Sequence, residues 1–377
     1  MNFSFHKKQL AEWIFWFAFV CEIMVFAVKK FDIKLPYESM ILRLLCLIFC
    51  IKILLTDYTK KEWGFMIVCG VIGVLAYFAS GRGIDVFFRA SMMIFASKNI
   101  SREKALKFLF YTLAITYGWT ILQSLIGLEP LYTTENFGRG GIETRYVFGF
   151  SHANTLHFSL WSLMVLFIYL YHEKLRPWHY GILTAFALVL TYLTRSRTGG
   201  ALMLLTLAMY FCYYHSTYIK QHKKLFFYIG GFTLLAALAF SAFVIIWGPD
   251  PILRLDSFLT GRIAKAYHGV RHANPPLVLS LFSQQGNVPY IDMGFVRLLY
   301  SFGIIPTLFY IAAHLSILID DYQNDHYKST IFLIGLIILT VIEAQQVNCD
   351  IAYNFTLIML FDRWYRIFQK GAVPSAD

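Results

Sequence analysis

A short polar segment, GFSHAN (149–154), follows Arg145 and leads directly into an apolar run. Ser151 or Asn154 is expected to cap a helix here, and the first turn of that helix would offer free N–H groups and partial positive charge to an anion. Arg145 would add a full charge, and His152 could accept a proton or bind a phosphate oxygen. The segment predicts an anion site, although a capping motif with an interfacial histidine fits the same residues.

A second cluster places Arg195 and Arg197 in a tight turn, TRSRTGG (194–200), between two apolar runs. Two guanidinium groups at membrane depth are costly unless an anion or a cavity receives them. The turn therefore predicts another contact to an anionic ligand. Snorkelling of both side chains to lipid phosphate is the alternative.

The stretch LDSFLTGRIAKAYHGVRH (255–272) carries a third cluster, with Arg262, His268 and Arg271. Asp256 is expected to cap a short amphipathic helix within this stretch.

A fourth cluster lies in IDMGFVRLLYSFG (291–303), at the start of an apolar run. Arg297 would lie about one turn inside the membrane, where a charge must be paired or hydrated. Asp292 is its expected partner, and a purely structural ion pair explains both residues equally well.

Composition indicates the scaffold that must position these groups. Of 377 residues, 58% are hydrophobic and only 15% are charged, whereas soluble domains are about half apolar and one-quarter charged. A disordered chain, a disulfide scaffold and an ordinary cytosolic enzyme are excluded. The sequence predicts an all-α bundle of membrane helices that forms a single domain over 1–377.

Apolar runs of membrane-spanning length define the predicted passes. With one short run at 84–97, there are twelve passes, so both termini are expected on the same side. The lysine-rich segments identify that side as the cytoplasm and leave two longer loops, 127–150 and 248–292, outside it. The remaining runs are 11–28, 38–55, 62–80, 105–126, 151–171, 179–194, 198–214, 225–247, 294–319, 330–347 and 351–368.

Basic residues differ in kind between the two predicted sides. The cytoplasmic segments hold thirteen lysines and four arginines, and the outer segments beyond the first loop hold eight arginines and one lysine. Topology alone does not choose between the two residue types, but the planar guanidinium binds phosphate in a bidentate manner. The outer face is therefore expected to bind a phosphorylated ligand. The alternative is that acidic loop residues such as Glu143 simply neutralise these arginines.

Charged residues inside the apolar runs also need partners. Arg43 is expected to face the bundle interior, Lys52 to snorkel to the cytoplasmic interface, and Arg89 to pair with Asp85 at helical spacing. Cys46 and Cys50 share a helix face without a third ligand, and no metal or cofactor motif is present, so neither a metal nor a cofactor is predicted.

Four motifs carry a family resemblance: FGFSHANT (148–155), SRTGG (196–200), LTGRI (259–263) and IDMGFVRLLYSFGI (291–304). In their order, and with the number of helices, they resemble bacterial polysaccharide polymerases of the capsule and O-antigen type. These belong to a superfamily that includes O-antigen ligases. The resemblance covers about 60–360. Thr-Leu-His follows Asn154 where the family often has glycine.

The resemblance implies a multi-pass enzyme of the bacterial cytoplasmic membrane. It would join oligosaccharide units carried on undecaprenyl diphosphate, with the growing chain as donor and a lipid-linked unit as acceptor. Membrane lipid, a chain-length regulator protein and a flippase are the implied partners, and nucleic acid is not. Arg145, His152, Arg197, Arg262 and Asp292 fall on motif positions.

Roles follow from this implied chemistry. Arginines would stabilise the departing diphosphate without a metal, and a base would take the proton of the acceptor hydroxyl. The candidates are His152, His268 and Asp292 for the base; Arg145, Arg197, Arg262, Arg195, Arg271 and Arg297 for the diphosphate; and Asn154, Glu143 and Arg82 for other substrate contacts.

Three alternatives stay open. A ligase of the same superfamily would move finished polymer to another acceptor and would need the same donor site. A flippase for the lipid-linked unit is disfavoured because the sequence shows no internal repeat and its cationic residues cluster outside the spans. A membrane protein without catalytic activity is the third.

Overall fold

A computed structural model describes residues 2–29, 35–80, 86–136, 141–273, 277–282, 291–347 and 355–369. Almost all of its regular structure is helical. The helices are α1 (Asn2–Lys29), α2 (Glu38–Leu54), α3 (Lys60–Ser80), α4 (Val86–Ala96), α5 (Arg102–Leu125), α6 (Ala153–Tyr171), α7 (Pro177–Thr194), α8 (Arg197–His215), α9 (Thr217–Gln221), α10 (Leu225–Trp247), α11 (Leu253–Phe258), α12 (Arg262–Arg271), α13 (Gly294–Arg297), α14 (Ile304–Gln323), α15 (Lys328–Ile342), α16 (Thr356–Met359) and α17 (Arg366–Gln369).

Six stretches within the described helices are long and apolar enough to cross a membrane. The protein is therefore treated as membrane-embedded, while the twelve passes and the cytoplasmic termini stay predictions. Shorter apolar helices cover Phe87–Ala96 and Lys328–Ile342. The six are His6–Val28, Lys60–Phe78, Arg102–Leu125, Ala153–Lys174, Leu225–Trp247 and Ile304–Gln323.

Three of the predicted runs are not continuous helices. In the run 330–347, α15 ends at Ile342, and a 3₁₀ turn (Ala344–Val347) follows the extended Glu343. The run 294–319 consists of α13, a π-helical turn (Leu298–Phe302) and α14. Loop backbone explains the break: the first N–H groups of α14, on Ile304 and Ile305, donate to carbonyls of the preceding loop at 2.9 and 3.1 Å. In the described part of 351–368, turns separate α16 from α17.

Contacts between α6 and α15 establish which helix ends lie together. Gly335 of α15 packs against the Trp161 ring of α6, and the hydroxyls of Ser329 and Tyr169 lie 3.3 Å apart. The two helices are thus antiparallel. The start of α6 and the end of α15 share one end of the bundle, which we call the site end.

Helix α8 runs in the same direction as α6. The Trp161 indole N–H donates to the Thr206 hydroxyl at 3.2 Å, and the Tyr210 hydroxyl donates to the Lys328 carbonyl at 3.1 Å. Helices α8 and α15 are therefore antiparallel, so the start of α8 also lies at the site end.

The loop 127–150 contains a β-hairpin that the sequence did not predict. Strands β1 (Tyr132–Asn136) and β2 (Ile142–Tyr146) pair antiparallel, with Thr133 opposite Arg145. The all-α prediction is corrected by this one hairpin, which leads into α6.

The loop 248–292 contains the amphipathic helix that was predicted, but its start differs. Asp256 lies in α11, and its Oδ1 accepts the N–H groups of Ile263 and Ala264 at 2.8 and 3.3 Å. It therefore caps α12 from the preceding helix. Both Leu259, which directly follows α11, and Ile263 of α12 are buried.

Partners of the intramembrane charges differ from prediction because they come from distant helices. Arg89 pairs with Glu22 of α1 at 3.1 Å, and the expected partner Asp85 lies outside the described residues. Lys52 is buried and donates to the Lys98 carbonyl at 2.6 Å instead of snorkelling. Arg43 is exposed and does not face the interior.

At the opposite end of the bundle, Arg363 ties the segment between α16 and α17 to α14. Its Nε and Nη2 lie 2.7 Å from carboxylate oxygens of Asp320 and Asp321, respectively. Arg363 and Asp321 are both buried.

Replacing Arg363 by alanine should lower the free energy of unfolding by about 3–5 kcal/mol, because it leaves the Asp321 carboxylate buried without its cation. Thermal unfolding in detergent measures the change. Lys7→Ala is the matched control, since the Lys7–Asp57 pair has side chains 37% and 98% exposed and should contribute almost nothing. Equal shifts of the unfolding temperature in the two variants would contradict a stabilising role for the buried Arg363–Asp321 pair.

Candidate functional site

A buried ion pair between Arg262 and Glu343 is the centre of the site end. Arg262 begins α12, and Glu343 directly follows α15. Their Nη1 and Oε1 atoms are 2.6 Å apart, with side chains 11% and 8% exposed. The same Nη1 donates to the Ile342 carbonyl, one of the last in α15, where partial negative charge accumulates. Within the described residues, the other guanidinium nitrogens of Arg262 form no hydrogen bond.

Asp292 joins this pair through the close packing of α13 on α15. A Cβ on Gly294 would lie 2.6 Å from the Thr340 carbonyl and 2.8 Å from that of Glu343, so only glycine permits this approach. As a result, Asp292 interacts electrostatically with Glu343. We call Arg262, Glu343 and Asp292 the ion cluster.

The expected pairing of Asp292 with Arg297 is wrong: among the ion pairs of the described residues, these two do not meet. The reason is local geometry. Asp292 precedes the first turn of α13, whereas the half-buried Arg297 is the last residue of that helix.

At the start of α6, the cap is His152, neither Ser151 nor Asn154. His152 has extended backbone (φ −156°, ψ 148°), and its Nδ1 accepts the N–H of Asn154 at 3.1 Å. In neutral His152 the proton is then on Nε2. This tautomer suits a hydrogen-bond donor to an anion better than a general base.

Arg145 and Glu143, both predicted to contact substrate, bind each other. On β2, the Nη2 and Nε of Arg145 lie 2.8 and 3.1 Å from one oxygen of Glu143. Arg145 is buried. This pair matches the alternative in which an acidic loop residue neutralises an outer arginine.

The α7–α8 turn presents two exposed arginines. Arg195 has a left-handed backbone (φ 54°) and lies 5.3 Å from the centroid of the Tyr192 ring. Arg197 is the first residue of α8, and no carboxylate pairs with it in the part of the chain that the structure describes. Its charge adds to the partial positive charge of the α8 N-terminus.

His268 and Arg271 lie toward the far end of α12, away from the ion cluster. His268 is six residues beyond Arg262, about 9 Å along the helix axis, and its Nδ1 is 3.2 Å from that of His272. Arg271 donates to the Ile245 carbonyl at 3.3 Å. The structure does not bring these two to Arg262, and Arg82 lies outside the described residues.

An apolar cavity of about 510 Å³ lies between α3, α4, α14 and the segment that contains α16 and α17. Along α14 its lining extends from Pro306 to Ser316, about 15 Å of helix. Leu298 and Val347 also border the cavity. In the sequence, Leu298 directly follows Arg297, and Val347 lies four residues after Glu343. The cavity was not predicted, because its walls come from segments far apart in the chain.

Together, these contacts place Arg145, His152, Arg197, Arg262 and Asp292 at the site end. Between described residues, direct interactions join the members of the ion cluster and, separately, Arg145 with Glu143. The convergence of Arg145, Arg197 and Arg262 on one diphosphate stays a prediction. Nothing local in the sequence identifies Arg262 as the partner of Glu343.

Comparison with known proteins assigns no family. No family model, no curated protein and no solved structure matches the chain. In the described residues, no group of three or more His, Cys, Asp or Glu side chains is arranged to hold a metal ion.

Proposed function

We propose that the protein is a glycosyltransferase of the bacterial cytoplasmic membrane that polymerises undecaprenyl-diphosphate-linked oligosaccharide units. The product would be a capsule, exopolysaccharide or O-antigen chain made on the outer face. The growing chain is the donor and a lipid-linked unit is the acceptor. A flippase that delivers these units and a chain-length regulator are the proposed partners.

One observation carries this proposal: an apolar cavity within membrane helices ends beside a buried cluster of charges. Leu298 and Val347 border the cavity, and Val347 lies one short helical turn after Glu343. A substrate with a long hydrocarbon chain and a charged head needs both environments next to each other. The cavity volume is also in the usual range for ligand sites.

Charge is divided between two parts of the site end. The α7–α8 turn supplies Arg195, Arg197 and a helix N-terminus, which suit the diphosphate. The ion cluster supplies two carboxylates and one arginine. When the acceptor oxygen bonds to C1 of the donor sugar, the C1–O bond to diphosphate breaks, and the diphosphate leaves with the electron pair. Guanidinium groups stabilise the charge that develops on it.

Replacing Arg197 by alanine should reduce polymer formation by about 10²–10³-fold, because one electrostatic contact to the leaving group is lost. Arg197→Lys should also be impaired, because a point charge does not reproduce the bidentate guanidinium. Elongation of purified lipid-linked units measures the effect, with single units persisting in both variants.

Arg254→Ala is the matched control, because Arg254 is an exposed arginine of the same outer loops outside the predicted site. It makes the same change in net charge and should elongate normally. Normal chain length in both Arg197 variants would contradict the proposal that the α7–α8 turn binds the diphosphate.

A further inference from the structure

Residues 277–282 (LVLSLF) form an apolar segment in the loop 248–292, because five of these six residues are apolar. Three of the side chains are exposed, Val278 by 63%, Leu279 by 55% and Leu281 by 60%. Loops run over the surface of a protein, and neighbouring apolar side chains exposed there mark a surface that contacts a membrane or another molecule. The apolar segment therefore needs a partner.

The start of the apolar segment lies beside the end of α10. The Leu277 N–H donates to the carbonyl of Val270 on α12 at 3.1 Å. Arg271, the next residue of α12, donates to the Ile245 carbonyl at 3.3 Å. Ile245 lies in the last turn of α10, where the membrane-crossing stretch Leu225–Trp247 ends. Two hydrogen bonds thus link the segment, through the end of α12, to the end of a membrane helix.

The end of the apolar segment lies against the start of α14. The first N–H groups of that helix donate to the carbonyls of Ser280 and Leu281 at 2.9 and 3.1 Å. A Cβ on Gly303, which directly precedes the helix, would lie 2.6 Å from backbone atoms of Phe282, so only glycine permits this approach. The membrane-crossing stretch Ile304–Gln323 begins at the same point. The segment therefore lies at the ends of two membrane helices.

These two helix ends determine the depth of the apolar segment. Apolar helices of this length cross the hydrocarbon core, so their ends mark its boundary with the headgroups. Trp247, the last residue of α10, is 57% exposed, and tryptophan is enriched at this boundary. Exposed side chains of the segment therefore meet lipid at the same depth. The nearby Arg271 is also exposed, and its charge suits headgroup phosphate.

We propose that residues 277–282 insert into the lipid leaflet at the site end and anchor the loop 248–292 in the membrane. The side chains of Val278, Leu279 and Leu281 contact acyl chains about 5–10 Å into the boundary with the headgroups. The backbone is stable at this depth because two of its carbonyls bond to α14 and headgroups or water satisfy the other groups. This contact differs from the predicted placement of the whole loop outside the membrane, and it does not depend on the proposed function.

The test is fluorescence quenching of the full-length protein in vesicles of phosphatidylethanolamine and phosphatidylglycerol. Leu279→Cys and Leu281→Cys each carry one fluorophore, with the native cysteines replaced. His272→Cys is the matched control, because His272 is an exposed residue of the same loop outside the apolar segment. Lipids with a doxyl group near the headgroup should quench the probes at 279 and 281, and aqueous iodide should quench them about fivefold less than the control, as expected for burial at this depth.

A second measurement uses the wild-type protein, in which a phospholipid with a diazirine near the headgroup end of its acyl chain should crosslink to residues 277–282. Equal iodide quenching at 279, 281 and 272 overturns the proposal, as does the absence of this crosslink. Protection from iodide without doxyl quenching, lost when the protein is diluted in lipid, would show that a second copy covers the segment and would also overturn it. The polymerisation assay is separate, so failure of the proposed function leaves this result readable.

Discussion

Replacing Arg262 by alanine should both destabilise the protein by about 3–5 kcal/mol and abolish polymer formation. The destabilisation arises because Glu343, with a side chain only 8% exposed, would keep a buried charge without its cation. The α15 C-terminus would also lose the guanidinium bound at the Ile342 carbonyl. Thermal unfolding and elongation of lipid-linked units measure the two effects separately.

A double substitution separates the effect of Arg262 on stability from its effect on polymer formation. Arg262→Ala combined with Glu343→Gln removes both charges, and most of the lost stability should return because no buried ion remains unpaired. Polymer should still be absent, because the proposed function assigns the Arg262 guanidinium a contact to the leaving group. Recovery of polymer in this double variant would show that Arg262 is structural only.

Gly294→Ala should impair both the stability of the protein and elongation. The new methyl group would lie 2.6 Å from the Thr340 carbonyl and 2.8 Å from the Glu343 carbonyl, both backbone atoms that cannot rotate away. Helix α13 must then move off α15 and carry Asp292 away from Glu343. We expect a loss of about 1–3 kcal/mol, as for other overpacked sites, together with loss of elongation.

Gly231→Ala is the control for this substitution. Gly231 lies within α10 and has no atom within 4 Å of an added Cβ, so alanine should leave stability unchanged or raise it slightly through helix propensity. If Gly294→Ala behaved like Gly231→Ala, the close packing of α13 on α15 would be refuted.

Helices with continuous apolar sequence were predictable from local features. The runs 151–171 and 225–247 correspond to α6 (Ala153–Tyr171) and α10 (Leu225–Trp247) within two residues at each end. Their length and composition alone mark them, because a membrane helix satisfies its backbone hydrogen bonds internally. The short helix in the loop 248–292 could be anticipated from its amphipathic pattern and from Asp256 as a cap residue, but its start at Arg262 was not.

Features that depend on distant partners were not predictable. The pairing of Arg262 with Glu343 and of Arg89 with Glu22 joins segments with no local signal between them. The break before α14 depends on loop carbonyls that bind its first N–H groups. The His152 cap depends on a hydrogen bond to the Asn154 N–H whose geometry sequence spacing does not specify.

The motifs behind the family resemblance did identify one end of the bundle. Residues from all four, including His152, Arg197, Arg262 and Asp292, lie where the starts of α6 and α8 meet the end of α15. Their chemical partners were mostly assigned differently. Residue type thus indicated where chemistry is expected, and tertiary packing determined which groups are engaged and which are open.

The most direct measurement is reconstitution of the purified protein in vesicles with a labelled undecaprenyl-diphosphate-linked repeat unit as the sole substrate. Product length is read on a gel, and release of undecaprenyl diphosphate is followed in parallel. We expect a ladder of longer chains, with one diphosphate lipid released per unit added and the same ladder in the presence of a chelator. Units that stay single, whether untouched, moved across the bilayer or joined only to a different acceptor, would contradict a polymerase.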